Sequence, residues 1–312
     1  MNPVFIIVLV FLSGGKIIAQ QSAPLLAALE ANDKETIKKL LDGGADPDII
    51  DDDSDNALMY AALYASADCM KLLLEHHAKV NAKNKFGETA LMWCTHDAEK
   101  TRLLLQYGID VNVTTIYGNT ALLIAAKGNN QYAIVKTLIE KGADALVRNE
   151  GGETALIRAA FYGDTSLLGL LYRKGVDVYA KDETGFAALN YAITNENKNA
   201  VLWLLNKMVS TTVTDSIEFD ALIYAVVLDD MDVVNALLTR SKDVNREDKE
   251  GYTALMWAMY SEHNNEAIVR SLLRKGADVN HKAKDGSTPL SWAAKKGNTS
   301  IVSLLVQAGA KK

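Results

Sequence analysis

The stretch GYTALMWAMYSEHNNEAIVRSLLRKGADVNHK, from Gly251 to Lys282, decides the fold because it holds two amphipathic helical patterns and one turn. Apolar residues recur with helical spacing in two groups, which are Ala254, Leu255, Ala258 and Met259, and then Ile268, Val269, Leu272 and Leu273. Thr253 is placed to cap the first helix with its hydroxyl, and the basic residues before Gly276 are a typical ending for the second. The stretch predicts a helical hairpin followed by an extended, turn-forming segment.

The same unit recurs along the chain with a period of about 33 residues. The residue before each recurring apolar pair marks the register, at Asn56, Thr89, Thr120, Thr154, Ala187, Asp220, Thr253 and Thr288. An upstream segment, APLLAALEAND with IKKLLDGGADPD, completes a ninth unit. Glycines stand two residues before six of these marks, at 87, 118, 152, 185, 251 and 286, where a tight turn tolerates positive φ. The predicted repeats lie near 22–50, 51–83, 84–114, 115–148, 149–181, 182–214, 215–247, 248–282 and 283–312.

The unit resembles the ankyrin repeat. The clearest copy is the last one, with Gly286-Ser287-Thr288-Pro289-Leu290, Trp292-Ala293-Ala294, Gly297-Asn298, Ile301-Val302 and Leu304-Leu305. The turn sequence Gly-Ala-Asp recurs in register at Gly142 and Gly276. The resemblance covers roughly residues 22 to 312 and implies an all-α solenoid of about nine helix-turn-helix repeats with β-hairpin-like fingers. It also implies a concave face made of fingers and first helices.

Two departures from the family pattern have structural consequences. The family usually places His after Thr-Pro-Leu, whereas here the position is held by Met59, Met92, Leu123, Ile157, Asn190, Ile223, Met256 and Ser291. We expect apolar packing to replace most of the polar links between repeats. The connector from Lys207 to Phe219 keeps the register but lacks both the Gly-Ala-Asp turn and the glycine before the cap, so it predicts a seam between the sixth and seventh units where the array flexes or changes curvature.

The first residues differ from the rest. An apolar run from Val4 to Leu12 is followed by Ser-Gly-Gly and a short stretch ending at Ala19. We interpret residues 1–19 as a signal peptide cleaved near Ala19, and residues 20–312 as the repeat domain. The run is shorter than the roughly 20 residues that a membrane-spanning helix needs, so no stable membrane span is expected. The sequence predicts an exported protein, periplasmic or secreted.

Composition and motifs point away from several functions. The net charge of −6 argues against sequence-independent binding of nucleic acid. No nucleophile elbow, phosphate loop or zinc-protease motif occurs, so we expect no enzyme activity and no cofactor. Asp51-Asp52-Asp53 with Asp55 lacks the spacing of a calcium loop and predicts a solvated acidic finger tip. His76-His77 near Cys69 is poor metal-binding geometry because adjacent residues on a helix point about 100° apart.

The two cysteines, Cys69 and Cys94, are too few for a disulfide framework. Both fall at apolar helix positions, which favours buried thiols and leaves a disulfide between them as the alternative. We expect the chain to be a monomer.

Aromatic residues form two sets. One takes the same place in successive first helices, with Tyr60, Trp93, Tyr191, Tyr224, Trp257 and Trp292 interrupted by Ile124 and Arg158. Packing between repeats is the favoured interpretation of this set, and a binding stripe is the alternative. The second set lies on finger tips and helix ends. Some of its members are predicted to bind a partner, and the alternative is that they are surface residues that fold over the adjacent finger: Tyr64, Phe86, Ile116, Tyr117, Phe161, Tyr162, Phe186, Tyr252 and Tyr260.

The resemblance and the second aromatic set together indicate a non-catalytic module that binds a folded protein partner through the concave surface. One alternative is an inhibitor or immunity protein that blocks a hydrolase in the same compartment. Another is a host-directed effector. An enzyme would instead need polar groups that converge in a pocket. The sequence does not name the partner.

Overall fold

A computed structural model describes residues 24–208, 221–261 and 265–311, which form eighteen helices. The first helices of the pairs are α1 (Pro24–Glu30), α3 (Ala57–Leu63), α5 (Ala90–Trp93), α7 (Ala121–Ala125), α9 (Ala155–Tyr162), α11 (Ala188–Thr194), α13 (residues 221–227), α15 (Ala254–Tyr260) and α17 (Pro289–Lys295). The second helices are α2 (Lys34–Asp42), α4 (Ala67–Glu75), α6 (Ala98–Gln106), α8 (Tyr132–Glu140), α10 (Thr165–Arg173), α12 (Lys198–Lys207), α14 (Met231–Arg240), α16 (Glu266–Arg274) and α18 (Thr299–Gln307).

The helices stack in two rows. Each second helix contacts the second helix of the next pair, from α2 to α18, and the first helices contact one another in the same way from α1 to α11 and from α15 to α17. One continuous apolar core runs through the described residues from Leu25 to Leu305. The predicted all-α helical-repeat solenoid is confirmed, because every unit buries its apolar face only against its neighbours.

The hairpin from Gly251 to Lys282 folds as its sequence pattern predicts. The first helix, α15, buries the apolar residues of its pattern, and α16 buries Ile268, Val269 and Leu272. The second helix ends at Arg274, and Lys275 as the C-cap residue donates its N–H to carbonyls of the last turn. Gly276 then takes φ +94°, which an L side chain adopts only with strain. The insertion between the helices includes residues 262–264, which lie outside the described part of the chain.

Caps at the first helices differ from one unit to the next. Thr120, Thr154 and Thr288 accept a hydrogen bond from the backbone N–H three residues on, as N-cap residues do. Thr89 and Thr253 occupy the same backbone position, but within the described residues their buried hydroxyls have no hydrogen-bond partner. The predicted capping role of the Thr253 hydroxyl is therefore wrong, although α15 begins where the sequence indicates.

This difference predicts opposite results for one substitution. Thr154→Val should lower the free energy of unfolding by about 1 kcal/mol, because it removes the bond from Ile157 N–H to the threonine hydroxyl. Thr253→Val should leave it unchanged or raise it slightly, because the hydroxyl it removes is buried without a partner. Urea denaturation of both variants measures the contrast, and equal losses would contradict it.

Neighbouring fingers contact each other at their tips. Backbone N–H groups of Ile116 and Glu150 donate to the carbonyls of Phe86 and Tyr117 at 2.9 and 3.0 Å. The glycines before the caps have φ between +73° and +86°, as the sequence predicts. At Gly118 an added Cβ would also lie 3.1 Å from the backbone of the next finger. Glycine is required there for conformation and for close approach.

Two sequence predictions fall largely on residues outside the described part of the chain. The signal peptide of residues 1–19 lies entirely outside it, and so do residues 209–219 of the predicted seam. Both stay predictions. Among the helices that the structure describes, none has the length and apolarity to cross a membrane.

Both cysteines are free and buried. Cys69 Sγ lies 3.3 Å from Ser66 Oγ and 3.4 Å from Asn32 Oδ1, inside the second row of helices. Burial raises the pKa of the Cys94 thiol to about 12, so the reactive thiolate is scarce at neutral pH. The interpretation of both residues as buried thiols is confirmed.

Candidate functional site

The finger tips and the first helices form one surface, here called the finger face, on which a column of side chains is tied to the fingers. The tips of three column residues donate to an aspartate nine residues earlier, at the base of the same finger. Tyr60 donates to Asp51 at 2.8 Å, Tyr191 to Asp182 at 2.6 Å and Trp257 to Asp248 at 2.9 Å. The same aspartates accept backbone N–H groups of the finger turn. Each carboxylate thus fixes a finger to its helix.

In two units, an asparagine and a glutamate together take the place of this aspartate. Asn84 and Asn149 replace the aspartate, and their amide groups donate to Glu88 and Glu153 at 2.8 and 2.9 Å. These glutamates accept from the column residue of their own unit, since Trp93 donates to Glu88 at 3.1 Å. In both arrangements, a carboxylate of the finger accepts a hydrogen bond from the column residue.

Arg158 is the charged member of the column and is only 8% exposed. It donates to Glu153 through Nη2 and Nε at 2.7 and 3.2 Å. It also reaches the preceding unit, where Nη1 donates to the Leu123 carbonyl at 2.7 Å and Nη2 to Asn119 Oδ1 at 2.6 Å. The guanidinium replaces aromatic packing by hydrogen bonds that join two repeats.

The ion pair between Glu153 and Arg158 should make the stability of the fold depend on pH. Burial alone would raise the pKa of Glu153, but the Arg158 charge and the hydrogen bonds from Arg158 and Asn149 lower it overall. A carboxyl with a lowered pKa in the folded state stabilises above its unfolded pKa of about 4.3, and this contribution is lost as pH falls through the folded pKa. Wild-type stability should therefore fall more steeply below about pH 4.3 than that of Glu153→Gln. Urea midpoints measured across that range test this, and parallel curves would contradict it.

Several predicted contact residues are engaged within the finger face. The Phe186 ring lies between those of Tyr191 and Tyr224, with centroids 5.6 and 5.5 Å away. Tyr252 lies between Trp257 and Trp292 in the same way, at 6.0 and 5.6 Å. Both rings are half-buried. Each of these two rings therefore packs against two aromatic residues of the column.

Helix ends supply the next group. Phe161 and Tyr162 close α9 with ring centroids 5.0 Å apart, and both are half-buried. Tyr64 is 48% exposed and lies 5.9 Å from the Tyr60 ring. Tyr260 is 50% exposed, contacts the Trp257 and Trp292 rings and carries Lys296 Nζ over its face at 5.1 Å.

An exposed apolar group stands on two adjacent finger tips. Phe86, Ile116 and Tyr117 are 40, 52 and 59% exposed, and the hydrogen bond from Ile116 N–H to the Phe86 carbonyl joins the tips. We call these three residues the tip patch. Among the predicted contact residues, the structure therefore brings these three together and leaves them largely uncovered.

The column itself is half-buried at Tyr60, Trp93, Ile124, Tyr191, Tyr224, Trp257 and Trp292. This supports packing over a binding stripe. The predicted solvated acidic tip is also more ordered than expected, because Asp51 holds its turn and Tyr60, Asp53 pairs with Lys85, and Asp55 accepts from Asn84 at 2.7 Å. Sequence reasoning missed the role of the finger carboxylates, although an Asp nine residues before a Tyr or Trp was a visible signal.

A groove lies on the second helices between α8, α10 and α12, and is lined by Ala133, Gly169, Arg173 and Trp203 among others. Its Asp164 is occupied as the N-cap of α10. Within residues 24–208, 221–261 and 265–311, no three His, Cys, Asp or Glu side chains form a group that could hold a metal ion.

Comparison with known families agrees with this architecture. A family model described as ankyrin repeats (3 copies) matches residues 24–115, 78–149, 96–182, 122–215 and 222–312. No curated protein matches the chain. Ankyrin repeats generally mediate protein–protein interaction and are generally non-enzymatic. Because the overlapping matches span nearly the whole described chain, the protein belongs to the ankyrin-repeat family.

Proposed function

We propose that this protein binds a folded protein partner through the finger face, with the tip patch at the centre of the contact. The observation that carries the proposal is the exposure of Phe86, Ile116 and Tyr117 on adjacent, hydrogen-bonded finger tips. Large apolar side chains held on a rigid support bury much area at a small cost in conformational entropy. The ordered column behind the tips supplies that support.

The consequence of binding separates two versions of the proposal. An open face suits a scaffold that holds its partner, and it equally suits an inhibitor that covers the active site of a hydrolase. An inhibitor should abolish turnover of the partner at stoichiometric ratio, whereas a scaffold should leave it unchanged. A host-directed effector is the third version, and it requires that the protein reach a host cell.

We also propose export, carried by the apolar run from Val4 to Leu12. Fusion of residues 1–40 to a reporter that is active only after export tests this separately. Activity lost on changing Val8 and Leu9 to arginine would support export, and an inactive fusion would contradict it.

The binding surface is tested by capture of partners from the source cell on wild-type protein and on the triple variant F86A/I116A/Y117A. The partner retained by wild type is then purified, and its affinity for both forms is measured by calorimetry. We expect the triple variant to bind at least about tenfold more weakly, since truncating central apolar contacts commonly costs more than 1 kcal/mol each.

A matched control removes apolar side chains of similar exposure from the second-helix side. Tyr107, Leu202 and Val306 are 39, 42 and 48% exposed, so Y107A/L202A/V306A loses comparable surface. Circular dichroism and urea midpoints check that both triple variants remain folded. Equal affinity of the two variants for the partner would overturn the assignment of the tip patch.

A further inference from the structure

The tip patch is set among carboxylates. The side-chain amide of Asn84 donates to both Asp55 and Glu88, at 2.7 and 2.8 Å, while its Oδ1 accepts the N–H of Phe86. On the other side, the backbone N–H of Glu150 donates to the Tyr117 carbonyl, and the Glu150 side chain is exposed. Acidic groups therefore flank the apolar patch at both edges.

Cations do not balance these groups within the four finger tips around the patch. Residues 51–55, 84–88, 115–119 and 149–153 contain the acidic residues Asp51, Asp52, Asp53, Asp55, Glu88, Glu150 and Glu153. The same ranges contain one basic residue, Lys85, which pairs with Asp53 and lies over the Phe86 ring at 5.1 Å. Arg158, on the first helix α9, neutralises the charge of Glu153 by forming an ion pair with it. The remaining excess is negative.

The crowding of carboxylates adds to the effect of burial at Asp55. Burial raises the pKa of Asp55, and although the bond from Asn84 lowers it, the nearby charges of Asp51, Glu88 and Asp53 raise it further. A cation brought to this edge would stabilise the ionised form of each of these carboxylates. The other end of the finger face differs, because Lys249 and Lys284 stand beside the acidic residues on its finger tips.

We infer that the tip patch receives an apolar side chain of the partner and that the carboxylates around it receive lysine or arginine side chains beside that anchor. The partner is thus a protein whose contact segment is basic and carries an exposed apolar residue. This inference rests on the proposed function and specifies the chemistry of the partner. Complementary charge at the rim favours encounter and excludes acidic competitors more than it adds affinity.

A random peptide library displayed on phage, selected on the full chain, tests the inference whichever protein the partner is. We expect enriched peptides to contain an aromatic or branched aliphatic residue flanked by Lys or Arg, and to lose binding to F86A/I116A/Y117A. Neutralising two exposed rim carboxylates in D53N/E150Q should weaken the selected peptides about 3- to 30-fold, the effect of two solvent-exposed charge contacts. Their affinity should also fall as salt is raised.

The charge control is E75Q/E140Q. Glu75 and Glu140 lie on second helices and pair with lysines one turn earlier, so this variant changes net charge equally without touching the finger face. Equal weakening in both charge variants, or enriched peptides without basic residues, would overturn the inference while leaving the proposed function intact if binding still needs the tip patch. Peptides that bind F86A/I116A/Y117A as well as wild type, or no enrichment above that variant, would count against both.

Discussion

Replacing Arg158 by alanine is expected to lower the free energy of unfolding by about 2 to 4 kcal/mol, because the substitution removes the hydrogen bonds that its buried guanidinium makes within its own repeat and to the preceding one. The Leu123 carbonyl loses its donor at 2.7 Å, and Asn119 Oδ1 loses one at 2.6 Å. Glu153 loses its counter-ion and keeps only the donor from Asn149. Equilibrium urea denaturation measures the loss.

The size of this effect depends on burial rather than on ion pairing. Arg270 provides the control, because it pairs with Glu266 at 3.1 Å one turn away on α16 but is exposed. Arg270→Ala should change stability by no more than about 0.5 kcal/mol. If both substitutions cost the same, the hydrogen bonds from Arg158 to the preceding repeat contribute nothing beyond a surface ion pair.

The helices could be predicted from the sequence because their information is local and repeated. The apolar spacing in Gly251–Lys282 occurs in unit after unit, and a glycine two residues before the cap marks the turn in six units. The buried faces of the helices and the positive φ values of these glycines follow from these signals. Because each weak signal recurs in register in many units, the pattern as a whole is strong.

Contacts between units were less predictable because they join residues more than 30 positions apart. Arg158 is an example, since a charged side chain in an aromatic column suggests solvent exposure until its acceptors on the preceding repeat are known. Lys100 is another, because its buried Nζ donates to the Ala61 and Ala62 carbonyls at 3.2 and 3.0 Å. Sequence periodicity indicates which face a residue takes, but not what the neighbouring unit offers there.

The candidate site was likewise predictable only in its local features and not in its contacts between repeats. Finger aromatics were identifiable by position, but their exposure depends on the next repeat. Phe186 and Tyr252 stand five residues before the column residue of their own unit and reach that of the following unit. Phe86, Ile116 and Tyr117 instead occupy the turn between base and glycine, where the neighbouring finger meets them through the backbone. An aromatic residue directly after the finger glycine therefore packs against its neighbours, whereas one directly before that glycine is exposed.

Replacing Gly118 by alanine is expected to lower the free energy of unfolding by about 2 to 4 kcal/mol and to separate two finger tips. Its φ of +73° strains an L residue, and the added Cβ would lie 3.1 Å from both Asn149 Cα and Glu150 N. Both atoms belong to the backbone of the next finger, so relief requires that finger to move. When that finger moves, the hydrogen bond from Glu150 N–H to the Tyr117 carbonyl should break. Urea denaturation gives the energy, and faster amide exchange at Glu150 reports the separation.

Gly286→Ala isolates the part of this loss that comes from close approach. Gly286 holds the same place in the last described finger with φ +82°, and a Cβ there would meet only the flexible Lys282 side chain at 3.5 Å. Its substitution should therefore cost about 1 kcal/mol, the conformational part alone. Because Tyr117 of the tip patch makes the contact with the next finger through its own carbonyl, Gly118→Ala should also weaken partner binding while Gly286→Ala does not. Equal stability losses would mean that backbone conformation, and not the approach of the next finger, explains the glycine at position 118.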